Sequence, residues 1–136
     1  MLTAIITGAS SKEVSGIEVK SITALKTVTE DVLKADAVIL LTPENLGYMS
    51  GALKDFFDRN YYLCMDKTDG LPCAMVIRAG NDGTGTRRAI ESILTGLRWK
   101  VVQAPMICKG DFQQDFIQQC EELGLSMAAS LEAGII

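Results

Sequence analysis

The stretch Ala35–Arg59 constrains the fold of this chain more than any other. It opens with an uninterrupted apolar run, Ala37–Leu41, followed by Thr42–Met49, which mixes proline, glycine, an amide, an aromatic ring and a hydroxyl. Ser50–Arg59 then carries apolar residues spaced by three and four, so the whole stretch predicts a strand, a loop and a helix. A strand without polar alternation is typical of a parallel sheet covered on both faces. Ligands bind just past the carboxyl ends of such strands, which is where this loop lies.

The rest of the chain repeats this alternation of strands and helices. We predict further strands at Leu2–Thr7, Ile17–Ile22, Cys73–Ile77 and Lys100–Cys108, and helices at Val28–Lys34, Thr86–Leu97 and Phe112–Ala133. This order predicts an α/β fold with a mainly parallel sheet. A length of 136 residues suits one domain, residues 1–136. The turns Gly8–Lys12, Thr42–Ser50 and Ala79–Thr86 follow strands, and we expect all three at the same edge of the sheet.

Composition excludes several classes of function. A net charge of −4 argues against a nucleic-acid partner, because that binding needs clustered lysine and arginine. No apolar run approaches the ~20 residues of a membrane span, and the first residues have no basic region before them, so we expect neither a membrane protein nor a signal peptide. We expect a cytoplasmic protein.

Histidine and cysteine usage narrows the chemistry. The chain has no histidine, which removes Ser-His-Asp and Cys-His catalysis. Its four cysteines show no metal-binding spacing, so we expect no metal site and small buried hydrophobic roles for most of them. The residues also show no catalytic pair.

Two loops are candidates for ligand binding. Ala79–Gly85 is rich in glycine and leads into a helix, whose first amides are free to bind an anion or a polar ring edge. Its glycine order is not that of the dinucleotide fingerprint, and a plain turn remains an alternative. Thr42–Met49 combines the rigid Pro43 with Asn45, which both donates and accepts hydrogen bonds. The alternative is that Asn45 and Ser50 only cap the following helix.

Two other uses of this architecture do not fit. A phosphoacceptor receiver domain needs acidic residues at the ends of its first and third strands, where this chain has Thr7-Gly8 and Thr42. A low-molecular-weight phosphatase needs a cysteine with an arginine six positions later, and none of the four cysteines has one. Glu44 and Asp82 lie in the candidate loops, where they either bond a ring N–H or face water.

Two segments of the sequence resemble a known family. Thr42–Arg59 is similar to the signature after the third strand of the flavodoxin-like superfamily, and specifically to its NAD(P)H-dependent FMN and quinone reductases. Ala79–Gly85 resembles the loop after the fourth strand in the same branch. The resemblance implies a flavodoxin-like three-layer sandwich with sheet order 2-1-3-4-5, counted along the chain.

The resemblance also implies a cofactor and its contacts. FMN would be held without a covalent bond, with NAD(P)H as a possible electron donor. The loop Thr42–Met49 would flank the isoalloxazine ring, Gly80–Gly83 would lie on the ring's pyrimidine side, and the loop after the first strand would hold the phosphate. The residues that the resemblance assigns to FMN are Ser10, Ser11, Thr42, Pro43, Glu44, Asn45, Leu46, Met49, Gly80, Asn81, Asp82 and Gly83.

The chain departs from the family near its first residues. The link Gly8–Gly16 is about nine residues, too short for a parallel crossover with its helix, which needs at least ~10–12. We therefore expect the helix between the first two strands to be absent or reduced, one sheet face to lose cover, and a homo-oligomer to bury it. The leading hypothesis is a small NAD(P)H-dependent flavin or quinone oxidoreductase or electron carrier. The alternative is a degenerate flavodoxin-fold module that binds no FMN stably and acts as an interaction subunit.

Overall fold

The computed structural model describes all residues, 1–136, and they form two compact units. One unit is Ile22–Gly110, and the other joins Met1–Ser21 to Asp111–Ile136. The prediction of a single domain over residues 1–136 stays a prediction.

The unit Ile22–Gly110 contains the sheet. Its elements are a 3-10 turn at Ala24–Lys26, α2 (Thr29–Leu33), β1 (Val38–Asn45), β2 (Tyr48–Met49), α3 (Gly51–Cys64), β3 (Pro72–Ala79), α4 (Thr84–Leu97), β4 (Lys100–Val101) and β5 (Met106–Lys109). The strand order is β2-β1-β3-β4, and β5 also pairs with β3. All pairs are parallel except the β1–β2 hairpin. The mainly parallel sheet predicted from the sequence is therefore confirmed.

The core of this unit lies between one face of the sheet and the helices α3 and α4. The deepest side chains from the sheet are Cys73, Met75 and Ile77, at 0–1% exposure. Helix α3 contributes Phe56 and Phe57 to the same cluster. Helix α4 contributes a stripe spaced by three and four residues, as its apolar periodicity predicts: Ile90, Leu94 and Leu97. Burial of this stripe stabilises the helix on the sheet far more than its intrinsic propensity does.

The unit formed by Met1–Ser21 and Asp111–Ile136 contains two packed helices, α1 (Leu2–Ala9) and α5 (Gln114–Glu132). They approach closely through glycines. A Cβ on Gly8 would lie 1.9 Å from the Glu121 carbonyl oxygen, and one on Gly124 would lie 2.1 Å from the Ile5 carbonyl oxygen. Any side chain at Gly8 or Gly124 would therefore force the helices apart. No helix of the protein combines the length and apolar character needed to cross a bilayer.

The first two predicted strands are wrong. Leu2–Thr7 belongs to helix α1, and Ile17–Ile22 has no strand structure. Short apolar runs do not distinguish a strand from a helix by periodicity, and here the buried residues repeat at helical spacing: Ala4, Ile5, Gly8 and Ala9. The link Gly8–Gly16 therefore follows a helix and not a strand.

The last predicted strand, Lys100–Cys108, is divided. It forms β4 and β5, with residues 102–105 between them. Pro105 lies in this break, and a proline has no N–H for the ladder. The long C-terminal helix is confirmed as α5, and its stripe of Phe116, Cys120, Leu123 and Met127 is buried. Phe112, which was predicted to begin the helix, precedes it and is exposed.

Candidate functional site

Thr42 organises the first candidate loop. It is 1% exposed at the carboxyl end of β1, and its Oγ1 donates to the Pro43 carbonyl at 2.9 Å. The same oxygen accepts a bond from the Ser50 N–H at 3.0 Å, which closes the segment between strand and helix. Ser50 then caps α3, since its Oγ accepts from the Leu53 N–H at 3.1 Å. The structure thus confirms the alternative that Ser50 is a helix cap, while Asn45 is not one.

The loop Thr42–Met49 is more regular than its sequence predicts. Strand β1 continues to Asn45 and turns back as a tight hairpin, with Glu44 opposite Met49 and Asn45 opposite Tyr48. The two turn residues, Leu46 and Gly47, have φ angles of 54° and 73°. Two left-handed residues in a row are the geometry of the commonest two-residue hairpin turn.

Leu46 is an unusual residue for this position. Left-handed backbone favours glycine, asparagine or aspartate, and a leucine there is strained. Its side chain is 106% exposed, so no packing within residues 1–136 offsets the strain. Strained backbone that presents an apolar side chain to solvent is characteristic of a ligand-contacting turn.

The second candidate loop, Ala79–Gly85, ends β3 and begins α4. Gly83 has a φ of 69° and caps α4, and a Cβ there would lie 2.7 Å from Ile107 Cγ2 and 3.2 Å from Ala79 Cβ. Both the backbone angle and the space therefore require glycine. The Asp82 carboxylate accepts from the Thr84 N–H at 3.0 Å, and this hydrogen bond lowers the pKa of Asp82.

The two loops are joined. The Glu44 Oε1 accepts from the Asn81 N–H at 2.9 Å, across the gap between hairpin and glycine-rich loop. A Cβ on Gly85 would lie 2.4 Å from the Gly47 carbonyl oxygen, so the hairpin packs on the first turn of α4. The expectation that these two turns meet at the same sheet edge is confirmed. The Glu44 and Asp82 carboxylates, for which water or a ring N–H was expected, each accept a bond from a backbone amide, and Asp82 is also exposed.

Thr86 adds a feature that the sequence analysis missed. It lies in the first turn of α4, is 0% exposed, and its Oγ1 has no hydrogen-bond partner. Buried polar atoms are almost always satisfied, so this hydroxyl is an exception, and at 0% exposure it is covered by the protein itself. The helix also offers amide N–H groups at this end, where its dipole is positive. The alternation of glycine and threonine in Gly83–Thr86 was the only sequence signal.

Arg78, on β3, was also missed. Its Nη1 donates to the carbonyls of Ala79 at 3.0 Å and Cys108 at 3.1 Å. The Gly110 N–H donates to the same Ala79 carbonyl at 3.0 Å. Arg78 therefore holds β3 to β5 at the carboxyl edge, directly before the glycine-rich loop. A charged residue in an apolar strand is the sequence signal that marks it.

Together, the hairpin and the glycine-rich loop form a surface that fits one edge of a flat, polar ring. A Cβ would meet nothing within 4 Å at Gly47 or Gly80, so the backbone is open to a planar ligand at both loops. The amides of the glycine-rich loop and of the first turn of α4 offer hydrogen bonds beside that opening. No cluster of histidine, cysteine or acidic residues that could hold a metal ion occurs.

The predicted phosphate ligands lie in the other unit. Ser10 follows the last residue of α1, and its N–H donates to the Ile6 carbonyl, while Ser11 Oγ accepts from the Glu13 N–H at 3.2 Å. The carboxyl end of a helix carries a partial negative charge, which disfavours a phosphate. The role of these serines stays a prediction, and the strand on which it rested is absent.

The four cysteines are free and buried. Burial raises the pKa of the Cys73 thiol to about 11, and it also raises the pKa of Cys64 and Cys120. Since the thiolate is the reactive form, these groups are poor nucleophiles. Their expected role as small buried hydrophobes is confirmed.

Comparison with solved structures identifies the class of fold as flavodoxin-like. A flavodoxin from the domain Archaea matches with a TM-score of 0.79 and 19% identity, covering 95% of this chain and 86% of that one. Megasphaera elsdenii flavodoxin matches with a TM-score of 0.74 and 17% identity, covering 94% and 88%. The flavodiiron protein from Giardia intestinalis gives 0.79 and 16%, covering 97% of this chain but 32% of that one.

The sequence itself defines the family. The model of the NADPH-dependent FMN reductase family matches residues 11–113, so the chain belongs to that family. A search of curated proteins found no match. The resemblance stated from Thr42–Arg59 and Ala79–Gly85 is confirmed at the level of the superfamily, and the predicted fold class is confirmed with it.

Proposed function

We propose that this protein binds FMN through the hairpin and the glycine-rich loop and serves as a small NAD(P)H-dependent flavin or quinone oxidoreductase or electron carrier. The observation that carries the proposal is the junction of the two loops, which is held by the Glu44–Asn81 bond and by the close approach of Gly85 to the Gly47 carbonyl. Membership of the FMN reductase family supports the same cofactor.

The chain's residues would bind and orient the flavin. Bound FMN supplies the hydride and electron chemistry, so the absence of histidine is no obstacle. The amides of Gly80, Asp82 and Gly83 would donate to the polar edge of the ring, while Pro43 and Leu46 would flank it. Asn45 and Met49 complete the hairpin side. Glu44 acts as a positioning residue, because its carboxylate fixes the amide of Asn81.

The test is titration of the purified chain with FMN, followed by quenching of flavin fluorescence. We expect Gly83→Val to weaken FMN affinity at least tenfold, because the new side chain would collide with Ile107 and Ala79 beside the site. Asn45→Ala is expected to weaken it less. Loss of binding should accompany loss of NAD(P)H-dependent reduction of a quinone such as menadione.

A matched control separates the site from backbone strain. Gly70 also has a left-handed backbone, with a φ of 77°, but a Cβ there meets nothing within 4 Å. Gly70→Val introduces comparable strain and should leave FMN affinity unchanged. If Gly83→Val and Asn45→Ala both bind FMN as the unaltered chain does, the assignment of the site is wrong.

The second candidate function is a degenerate flavodoxin-fold module that acts as an interaction subunit. The observation that favours it is helix α1, which occupies the residues expected to form the first strand and leaves Ser10 and Ser11 at a helix carboxyl end. If the protein is such a module, high-micromolar FMN should show no fluorescence change with the unaltered chain. A fluorescence change that Gly83→Val abolishes excludes it.

Two further expectations belong to the proposal. Four unpaired thiols support a reducing compartment, and we place the protein in the cytoplasm. We also propose a homo-oligomer, supported by exposed apolar side chains such as Leu25, Val28 and Tyr62. A monomeric mass by light scattering would contradict the oligomer.

A further inference from the structure

The chain contains two Asp-Gly dipeptides, Asp69-Gly70 and Asp82-Gly83, and no Asn-Gly. Both lie in the unit Ile22–Gly110, and both glycines have a left-handed backbone, with φ angles of 77° and 69°. In an Asp-Gly dipeptide the aspartate carboxyl can react with the following main-chain amide, because glycine has no side chain to hinder the approach. The two dipeptides have the same chemistry, so a difference in their reactivity comes from the structure around them.

The first dipeptide is restrained at both reacting groups. The Gly70 N–H donates to the Arg98 carbonyl at 2.7 Å, and the Asp69 carboxylate is paired with the Arg98 Nη1 at 3.0 Å. This bond lies where β3 begins, next to the bond from the Lys100 N–H to the Leu71 carbonyl at 2.9 Å. A hydrogen-bonded amide loses its proton only when the structure opens locally. The Gly70 nitrogen is therefore not available as a nucleophile in the folded protein.

The second dipeptide has neither restraint. The Gly83 N–H makes no hydrogen bond within the protein. The Asp82 Oδ1 accepts from the Thr84 N–H at 3.0 Å, which draws the carboxyl group along its own main chain and past the Gly83 amide between the two residues. Asp82 is also exposed, as is Asn81 before it. A carboxyl group and an unbonded amide nitrogen are therefore neighbours at an exposed turn.

We propose that Asp82-Gly83 is a site of spontaneous modification, at which the Asp82 carboxyl and the Gly83 nitrogen close to a cyclic imide that reopens to isoaspartate, whereas Asp69-Gly70 is protected. In the first step the N–Cγ bond forms, and the amide proton leaves with the carboxyl hydroxyl as water. Water then adds to the imide and breaks one of its two C–N bonds. Breaking the bond to Cγ restores aspartate, and breaking the bond to the main-chain carbonyl carbon gives isoaspartate. Nothing is oxidised or reduced.

Isoaspartate at residue 82 lengthens the main chain of the glycine-rich loop by one methylene group. The loop has no space for it, because a Cβ on Gly83 would already lie 2.7 Å from Ile107 Cγ2. On the other side of residue 82, the Asn81 N–H is held by Glu44 at 2.9 Å. A single hydrogen bond between exposed groups is weaker than close packing, so the Glu44–Asn81 bond is the contact that we expect to break. The modification therefore separates the hairpin from the glycine-rich loop.

The experiment is prolonged incubation of the full chain in neutral buffer, followed by trypsin. The incubation must be long, because the bond from the Thr84 N–H lowers the pKa of Asp82 and little of its carboxyl is protonated. Trypsin separates the two dipeptides, since it releases residues 68–78 and residues 79–87 as different peptides. Chromatographic separation of the isomers, and resistance to Asp-N protease, measure isoaspartate in each. We expect it to form at least about tenfold faster at Asp82 than at Asp69.

The unfolded chain is the control for intrinsic reactivity. In concentrated urea neither glycine amide is protected, and the two dipeptides should react at rates within about twofold of each other. Amide hydrogen exchange of the folded chain is a second readout, in which Gly83 should exchange at least about tenfold faster than Gly70. All samples are free of flavin, because FMN bound as proposed would engage the Gly83 amide. The outcome is therefore independent of whether the chain binds FMN.

One substitution at each dipeptide tests the two halves of the proposal. Asp82→Glu retains the charge but would have to close a larger ring, so it should stop isomer formation in residues 79–87. Arg98→Gly removes the ion pair of Asp69 but retains the main-chain carbonyl and suits the left-handed backbone at this position, where φ is 58°. Asp69 should therefore stay protected in Arg98→Gly. In modified protein, the Asn81 amide should exchange faster than in fresh protein.

Several results would overturn the proposal. One is equal formation of isoaspartate at the two dipeptides of the folded chain, or faster formation at Asp69. Another is the absence of isoaspartate at Asp82 after an incubation that converts most of the urea-unfolded sample. If Arg98→Gly raises the rate at Asp69 to that at Asp82, the ion pair and not the bonded Gly70 amide provides the protection, and the stated cause is wrong.

Discussion

Strands β1 and β3 carry similar apolar runs but occupy different environments. Cys73–Ile77 of β3 pairs with β1 on one side and with β4 and β5 on the other, and its residues are 0–1% exposed. In the run Val38–Leu41 of β1, which is paired on one side only, three of the four residues are only partly buried. An apolar run identifies a strand, whereas its neighbours in the sheet decide how deeply the strand is buried.

The largest expected effect comes from placing a charge at matched positions of the two strands. Val76 and Leu41 are register partners on the same face of the sheet, and Val76 is 0% exposed. Val76→Lys buries an unpaired ammonium and should reduce the free energy of unfolding by more than ~4 kcal/mol, a large fraction of a typical domain's stability. Leu41→Lys should cost about 1–2 kcal/mol, because its side chain can reach water. Urea unfolding followed by circular dichroism measures both.

A pair of uncharged substitutions controls for β-strand propensity. Val76→Thr and Leu41→Thr introduce the same β-branched residue, and the buried site should again show the greater loss of stability. Equal losses in the free energy of unfolding for the two lysine variants would contradict the comparison, because they would mean that β1 is as deeply buried as β3.

The second prediction concerns the buried thiol at the start of β3. Burial raises the pKa of Cys73 from 9.0 to about 11, so the folded state retains the proton when the unfolded state has lost it. The stability from this group is full below pH 9 and is lost as the pH rises to 11. A shift of this size corresponds to roughly 2–3 kcal/mol. The difference between the unaltered chain and Cys73→Ala, followed by urea unfolding from pH 8 to 11, should isolate it.

Cys64 provides the control for this pH dependence. Its pKa is also raised by burial, but the nearby Lys67 charge opposes the shift. We therefore expect Cys64→Ala to remove less of the loss of stability above pH 9. Parallel pH profiles for the unaltered chain and Cys73→Ala would show that Cys73 ionises as freely in the folded state as in the unfolded one.

Sequence patterns were informative where burial and periodicity agree. The strand, hairpin region and helix of Ala35–Arg59, the strand at Cys73–Ile77 and helix α4 are all found in the structure. The two strands have short apolar runs bounded by turn residues, and the two helices have apolar residues at helical spacing. The neighbours of these elements were not needed to predict them.

The N-terminal residues show where such patterns fail. Leu2–Thr7 satisfies a strand as well as a helix, and the helix packs closely on α5, with Gly8 against Glu121 and Gly124 against Ile5. Ile17–Ile22 alternates as a strand does but has no strand partner. In both segments the outcome depends on a distant part of the chain, which a local pattern does not contain.

The candidate site was predictable in position but not in its bonds. Glycines marked both loops, and Pro43 marked the first one. Such residues are needed for turns and for close approach of the backbone to a ligand. The bond from the Asn81 amide to Glu44 and the unpartnered Thr86 hydroxyl depend on how β1 and β3 are paired. Without that register, the local sequence left Glu44 open between a ring N–H and water.

The two strands also end differently, and this difference leads to the smallest predicted effect. β3 ends in a loop whose left-handed residue is Gly83, as its backbone favours, whereas β1 ends in a hairpin whose two left-handed residues are Gly47 and the less suitable Leu46. Asparagine tolerates this backbone better than leucine, and the exposed Leu46 side chain loses no packing on replacement. Leu46→Asn should therefore raise the free energy of unfolding by about 0.5–1 kcal/mol.

Stability and flavin affinity should move in opposite directions in this variant. If Leu46 flanks the ring, Leu46→Asn weakens FMN binding several-fold while the protein becomes more stable, as expected where strain serves a ligand contact. Leu25→Asn, at another exposed leucine in the 3-10 turn with ordinary backbone, should change neither quantity beyond ~0.5 kcal/mol. A Leu46→Asn variant without added stability would show that the hairpin turn is relaxed, and the reason to single out Leu46 would be lost.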